Sequence, residues 1–342
     1  MHRKLPAPFT MPRYSAVHQS TKGPGDARPT ALQIIKDENM ENMLSGKVVL
    51  ITGCSSGIGV PTARALYQTG ATLYLTARDL GKARKALGDI SSNPRVHFLH
   101  LELDSLESVR ACAAEFKSQS TRLDILIMNA GVMACPEGRT VDGFETQFGT
   151  NYLAHFLLFQ LLKSLMLASA APGSNSRVVV VSSRAHCYSS IHFDNIALQG
   201  EYAPWISYGQ SKTAGIWMAN EIDRRYGSKG LRSFSLHPGG IQTELLRHLS
   251  DETKASMAEN AVLQNYLKNP EQGAATSVWA AVAKELEGQG GKYLDNCQIA
   301  DAHNPKLGEY SPGYAPWAYD PEGEARLWRQ SLEMLGLNSA LD

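Results

Sequence analysis

The chain has 342 residues with an apolar share of 43%, enough for a sizeable core and too much for a disordered polypeptide. Its 33 basic residues balance 33 acidic ones, so it lacks the basic excess of a nucleic-acid or anionic-membrane binder. Five cysteines, at 54, 112, 135, 187 and 297, are odd in number and lack CxxC spacing, which argues against a disulfide framework and a structural zinc site. They predict free thiols in a reducing compartment, the cytoplasm, with peripheral membrane association left open.

Residues 1–43 hold five of the sixteen prolines, a Gly-Pro-Gly at 23–25 and no periodic apolar run before 31–35. This predicts an irregular extension outside the main domain. No apolar stretch of signal-peptide length follows His2-Arg3-Lys4, so secretion is not expected, and Met11 offers an alternative start. From Lys47 onward, strands are predicted at 48–52, 72–76, 96–102, 125–129, 177–182, 232–237 and 291–294. Their near-continuous apolar character is that of parallel strands buried on both faces. Segments long enough for crossover helices separate the first six. The alternation predicts an α/β fold of about seven strands, a doubly wound parallel sheet with helices on both faces, as a single domain over 44–300. Residues 301–342 are expected as a C-terminal extension near the substrate side.

One stretch, 152–171, has the ~20-residue length of a membrane span. It carries His155, Gln160 and Lys163, however, and Leu157, Leu161, Leu165 and Ala168 recur at helical spacing, with Leu158, Leu162 and Met166 broadening the stripe. This pattern predicts a buried helix and no membrane span.

Chemistry begins where the first strand ends, in Thr52-Gly-Cys-Ser-Ser-Gly-Ile-Gly59. Between a strand and a helix, Gly53 permits a tight turn, Gly57 lets backbone approach a pyrophosphate, and Gly59 allows close helix–strand packing. Ser55, Ser56 and Ile58 complete the loop, and the helix N-terminus behind it favours negative charge. This is the Rossmann-type signature of a dinucleotide site. Arg78 stands nineteen residues after Gly59, where a carboxylate would accept from an adenosine 2′-hydroxyl. A guanidinium there pairs instead with a 2′-phosphate, which points to NADP(H) over NAD, although Asp79 beside it dilutes the field.

Tyr208 and Lys212 are four residues apart and share a helical face, so an ammonium can approach a phenol and draw its pKa towards neutrality. With 13 tyrosines in the chain, such a pair also arises by chance, and context has to decide.

That context is the run at 52–59, Asn129-Ala130-Gly131, Asn151, Ser182-Ser183, Tyr208 with Lys212, and Pro238-Gly239, in this order. The chain from about 45 to 300 thereby resembles the short-chain dehydrogenase/reductase family. HPGGIQTEL at 237–245 and GGKYLDNCQ at 290–298 resemble its retinol-dehydrogenase-like and WW-domain-oxidoreductase-like branch, in the reductase portion only. The resemblance implies that Tyr208 exchanges a proton with the substrate oxygen during hydride transfer, and that Lys212 lowers the tyrosine pKa and holds the nicotinamide ribose. It assigns the substrate-oxygen contact to Ser183, with Ser182 second, and to Asn151 a water in a proton relay ending at Lys212. Asp104 would meet the adenine, Asn129, Ala130 and Gly131 the adenosine side, and Gly239, Ile241 and Thr243 the nicotinamide. Asn151 could instead cap the helix that follows it, and Asp104 could be an ordinary helix N-cap.

The 24 residues between Ser183 and Tyr208 are about twice the family's common spacing and include Tyr188, Phe193, Tyr202 and Trp205. With Met133 and the segment 244–268, they suggest a roomy apolar pocket for a bulky ketone, aldehyde or alcohol. The later aromatics Tyr310, Tyr314, Trp317, Tyr319 and Trp328 either cover that pocket or only dock the C-terminus. The expected activity is NADP(H)-dependent carbonyl–alcohol interconversion. The alternatives are an NAD-dependent alcohol dehydrogenase and a catalytically idle NAD(P)-binding sensor or scaffold. By the same resemblance, the helices after Asn151 and around Tyr208 offer a homodimer face.

Overall fold

A computed structural model describes residues 12–171, 173–308 and 310–337, so His2-Arg3-Lys4 and Met11 lie outside the described residues. Seven strands run parallel: β1 (Val48–Thr52), β2 (Thr72–Ala77), β3 (Val96–His100), β4 (Ile125–Met128), β5 (Ser176–Val181), β6 (Leu231–His237) and β7 (Lys292–Asp295). Their order is β3-β2-β1-β4-β5-β6-β7, with a short antiparallel β8 (Gln298–Ile299) at the edge. This eighth strand was not expected. It is two residues long, and the turn before it places Asn296 and Cys297 at φ 54° and 56° without the glycine that usually announces such a hairpin.

Alternate strand residues feed two cores, as the two-residue period of a strand requires. Val49 and Ile51 face one side, under the helices Gly59–Tyr67 and Ala275–Val282. Val48 and Leu50 face the other, under Leu106–Gln119, Ala154–Ser169 and Pro204–Tyr226. The expected buried helix after Asn151 is therefore a core helix. Thr146–Ser169 has the length and apolarity to cross a membrane, and most of its apolar window is buried inside the fold. The five cysteines are free thiols.

Both ends differ from the expected extensions. A helix at Ala31–Asp37, capped by Thr30 accepting from the Gln33 amide, buries Ile34 and Ile35 in the first core. The short apolar run at 31–35 is the trace of this helix in the sequence, and the prolines and glycines before it hide that it packs into the core. At the other end, the helix Pro321–Met334 sets Trp328 edge-on against Phe156, 4.8 Å between ring centroids, and Ser331 against the Tyr152 hydroxyl at 2.7 Å. It thus covers part of the helical face offered to a second copy, and not the substrate side. Of the late aromatics, Tyr310 stacks on Tyr266 within the segment 244–268, at 4.9 Å between ring centroids.

Candidate active site

A cavity of about 630 Å³ opens at the C-terminal ends of the strands, where the order reverses between β1 and β4. That is the binding position of open α/β sheets. The glycine turn forms its floor. Gly53 has φ +76°, and a Cβ there would lie 2.8 Å from that of Ala130. A Cβ on Gly59 would meet the Gly53 carbonyl at 2.1 Å, so the turn closes on the helix Gly59–Tyr67 only with glycine at both places. Ser55, Ser56, Gly57 and Ile58 line the cavity beside it, as do Asn129, Ala130, Gly131, Gly239, Ile241 and Thr243.

Arg78 follows β2 and is exposed at the cavity rim. Asp79 does not oppose it freely, because its carboxylate caps the next helix by accepting from the Lys82 amide at 2.8 Å. Between Arg78 and Ser183 lie β1 and β4, hence three strand spacings of about 4.8 Å, roughly 14 Å in all. Asp104 lines the same cavity, and its Oδ1 is buried without a hydrogen-bond partner. A glycine cradle, an orphaned acceptor and a cation at this separation fit an extended dinucleotide. Across the rim, Lys82 pairs with Glu244 at 2.7 Å.

At the other end, Ser183, Tyr208 and Lys212 meet in the cavity wall. The Ser183 hydroxyl hydrogen-bonds the Tyr208 phenol and accepts from the Ala185 amide at 3.1 Å. The Ser182 hydroxyl instead donates to the Lys212 carbonyl at 2.9 Å, inside the fold. Lys212 Nζ lies 5.4 Å from the Tyr208 ring centroid and donates to the Val181 carbonyl at 3.0 Å. Burial pushes the Lys212 ammonium down to about 8. The expected lowering of the tyrosine pKa is not what the geometry gives. Burial holds the Tyr208 phenol well above its ordinary value, and the Ser183 hydroxyl lowers it only in part. Desolvation of a phenolate outweighs a cation that is itself bonded to a carbonyl.

The Asn151 side chain is engaged within the fold. It sits in a π-helical turn, Gly149–Leu153, ahead of the core helix. Its Oδ1 accepts from the Val132 amide at 2.8 Å, and its Nδ2 donates to the Val132 carbonyl at 2.9 Å and to Ser211 Oγ at 3.0 Å. The side chain is thus committed to holding the segment after β4. His155, which the sequence offered only as a polar interruption of an apolar helix, supports it. Because a carbonyl only accepts, His155 Nδ1–H donates to the Asn151 carbonyl at 2.9 Å, which leaves Nε2 to accept from Thr52 Oγ1 at 2.9 Å. Thr52 Oγ1 in turn accepts from the Asn129 and Ala130 amides. Burial lowers the His155 pKa to about 4, so the ring is neutral in this network.

The rest of the wall carries the apolar side chains of Met133, Trp205, Leu245, Leu249, Met257 and Leu263, with Thr146, Thr150, Gln242, Arg247 and His248 among them. Of the four aromatics in the long spacer, Trp205 alone lines the cavity. Tyr202 donates to the Cys135 carbonyl at 2.8 Å, Phe193 packs on Trp217, and Tyr188 is exposed against Trp205.

Residues 47–254 match the family model described as short chain dehydrogenase. The chain is 52% identical over 326 residues to the short-chain dehydrogenase/reductase prx1 of Penicillium roqueforti, covering 95% of this chain and 96% of that protein. It is 39% identical over 302 residues to human retinol dehydrogenase 13, covering 86% of each. A solved structure from Mycobacterium paratuberculosis superposes with a TM-score of 0.66 at 30% identity, over 91% of this chain and 99% of the other. On the family match and these identities, the chain belongs to the short-chain dehydrogenase/reductase family, oxidoreductases that work with NAD(P)(H).

Proposed function

We propose that the protein is an NADP(H)-dependent oxidoreductase that interconverts a carbonyl and an alcohol on a bulky, largely apolar small molecule. The observation that carries this reading is one continuous cavity that joins Arg78 and the glycine turn to Ser183, Tyr208 and Lys212, and ends among methionine and leucine side chains. The glycine turn, Asp104 and Arg78 would hold the adenosine and phosphate end, and Lys212, Gly239, Ile241 and Thr243 the nicotinamide end. Bound there, the nicotinamide supplies the hydride. Tyr208 supplies the proton to the substrate oxygen, and Ser183 donates a hydrogen bond to that oxygen as charge develops on it. A phenol held protonated by burial is the form that carbonyl reduction needs near neutral pH.

The test follows NADPH absorbance with the purified protein and a panel of apolar ketones and aldehydes. All-trans-retinal is included because relatives are named retinol dehydrogenases. NADPH consumption with bulky members of the panel, and slower consumption with NADH, is expected. Bound NADPH with no turnover would favour the idle sensor.

Two outcomes follow from single groups. Arg78→Ala should weaken NADPH binding by about 1.5–3 kcal/mol, the scale of a hydrogen bond to a charged group, and leave NADH nearly unchanged. Fluorescence titration with both cofactors checks this, and equal losses would contradict the 2′-phosphate role. The pH profile of reduction should be flat at neutrality and fall above about 8, because Lys212 is charged below that value and loses its proton above it. A profile still flat two units higher would contradict a working ammonium at Lys212.

A further inference from the structure

Arg28 is a charged side chain buried to 3% exposure, and it lies in the segment before the first core helix. Its guanidinium donates to the Tyr266 carbonyl at 2.7 Å, the Leu267 carbonyl at 2.5 Å and the Gly23 carbonyl at 3.0 Å, and its Nε to Asp26 at 2.8 Å. Gln272, also buried, closes the knot from the other side. Its Oε1 accepts from the Gly25 amide, and its Nε2 donates to the Asp26 and Arg28 carbonyls. The Gly23 amide donates to the Asn265 carbonyl at 3.0 Å.

These bonds converge on the place where the substrate segment rejoins the body of the protein. Tyr266 and Leu267 stand three and four residues after Leu263, and Leu263 and Leu267 both line the cavity. The Tyr266 hydroxyl meets His237 Nε2 at 2.7 Å, while the Lys268 amide donates to the Gly240 carbonyl at 2.8 Å and its Nζ to the Pro238 carbonyl at 3.3 Å. His237, Pro238 and Gly240 line the cavity after β6. In the middle of the segment, the helix Asp251–Glu259 has no buried residue. A buried charge is a poor way to gain stability alone, because apolar side chains of similar volume serve as well. A planar fork that fixes two successive carbonyls is instead well suited to holding one loop geometry. Both halves of the knot, 23–28 and 265–272, lie outside the stretch matched by the family model.

We infer that Arg28 is a positioning residue for the substrate end of the cavity, clamping 266–267 so that Leu263, Leu267 and the 237–240 turn keep their working places. The inference rests on the oxidoreductase reading for its kinetic consequence, and on geometry alone for its structural one. Arg28→Ala and Arg28→Lys in the full chain are compared with wild type by hydrogen–deuterium exchange, and by kcat and KM for the best carbonyl of the panel. In Arg28→Ala, exchange over 261–268 should rise by about tenfold or more, the factor that one charge-assisted hydrogen bond carries. Exchange in β1 and β5 should stay unchanged. KM should rise by about as much with kcat nearly kept, and Arg28→Lys should recover part of both. Unchanged exchange over 261–268, or a rise shared equally by β1 and β5, would overturn the inference. If Arg28→Ala does not fold, Arg28→Lys is read by the same local criterion. If no panel carbonyl turns over, the oxidoreductase reading fails while the exchange result still decides the clamp.

Discussion

Replacing Tyr208 by phenylalanine is expected to lower kcat for carbonyl reduction by about 10²–10⁴-fold, the range that a positioned general acid contributes. NADPH affinity should stay within about twofold, because the substitution removes one oxygen from a ring whose packing is apolar and buried. The lost oxygen bonds the Ser183 hydroxyl, and Lys212 Nζ is already bonded to the Val181 carbonyl, so the ammonium keeps its partner in the variant. Steady-state kinetics with a fluorescence titration separates the two quantities. Turnover within tenfold of wild type would mean that another group delivers the proton. The high phenol pKa adds a directional consequence. Alcohol oxidation needs phenolate to accept the proton, so oxidation should gain on reduction as pH rises, until Lys212 titrates near 8.

Ser183→Ala should cost about 10²–10³-fold in kcat, the scale set by removal of one donor to a developing oxyanion. Ser182→Ala makes the contrast. Its hydroxyl is spent on the Lys212 carbonyl within the fold, so the loss should appear in the thermal midpoint and not in the chemical step. Measuring kcat and melting temperature for both variants gives a two-by-two result. Reversed roles would place the substrate oxygen on the other serine and contradict the geometry around Tyr208.

Much of the site was legible because its parts are local in sequence. The glycine turn needs three small residues within one short loop, and Gly53, Gly57 and Gly59 show them in order. Tyr208 and Lys212 lie one helical turn apart, and Ser183 stands two residues past a strand whose apolar run is plain. The choice between Ser182 and Ser183 came only from resemblance, and side-chain geometry now separates them. What the sequence could not show depends on contacts between distant segments. His155 supports Asn151 through its backbone carbonyl, a partner that leaves no pattern in side chains. Arg28 reads as one more charge in a proline-rich stretch until the chain folds and sets it under Tyr266 and Leu267, 238 and 239 residues away. How burial acts on the Tyr208 phenol is hidden for a related reason. Spacing shows that a cation is near, but it does not show how completely the phenol is desolvated or that a carbonyl already holds the ammonium.

The most direct measurement is label transfer from NADPH carrying deuterium at C4 of the nicotinamide, one faced isotopologue at a time, to the best carbonyl of the panel. The account predicts that one of the two forms places deuterium on the carbinol carbon of the product, and that Tyr208→Phe yields almost none of that product. An alcohol product without the label, or equal labelled product from the variant, would contradict direct hydride transfer in this cavity with Tyr208 as the acid.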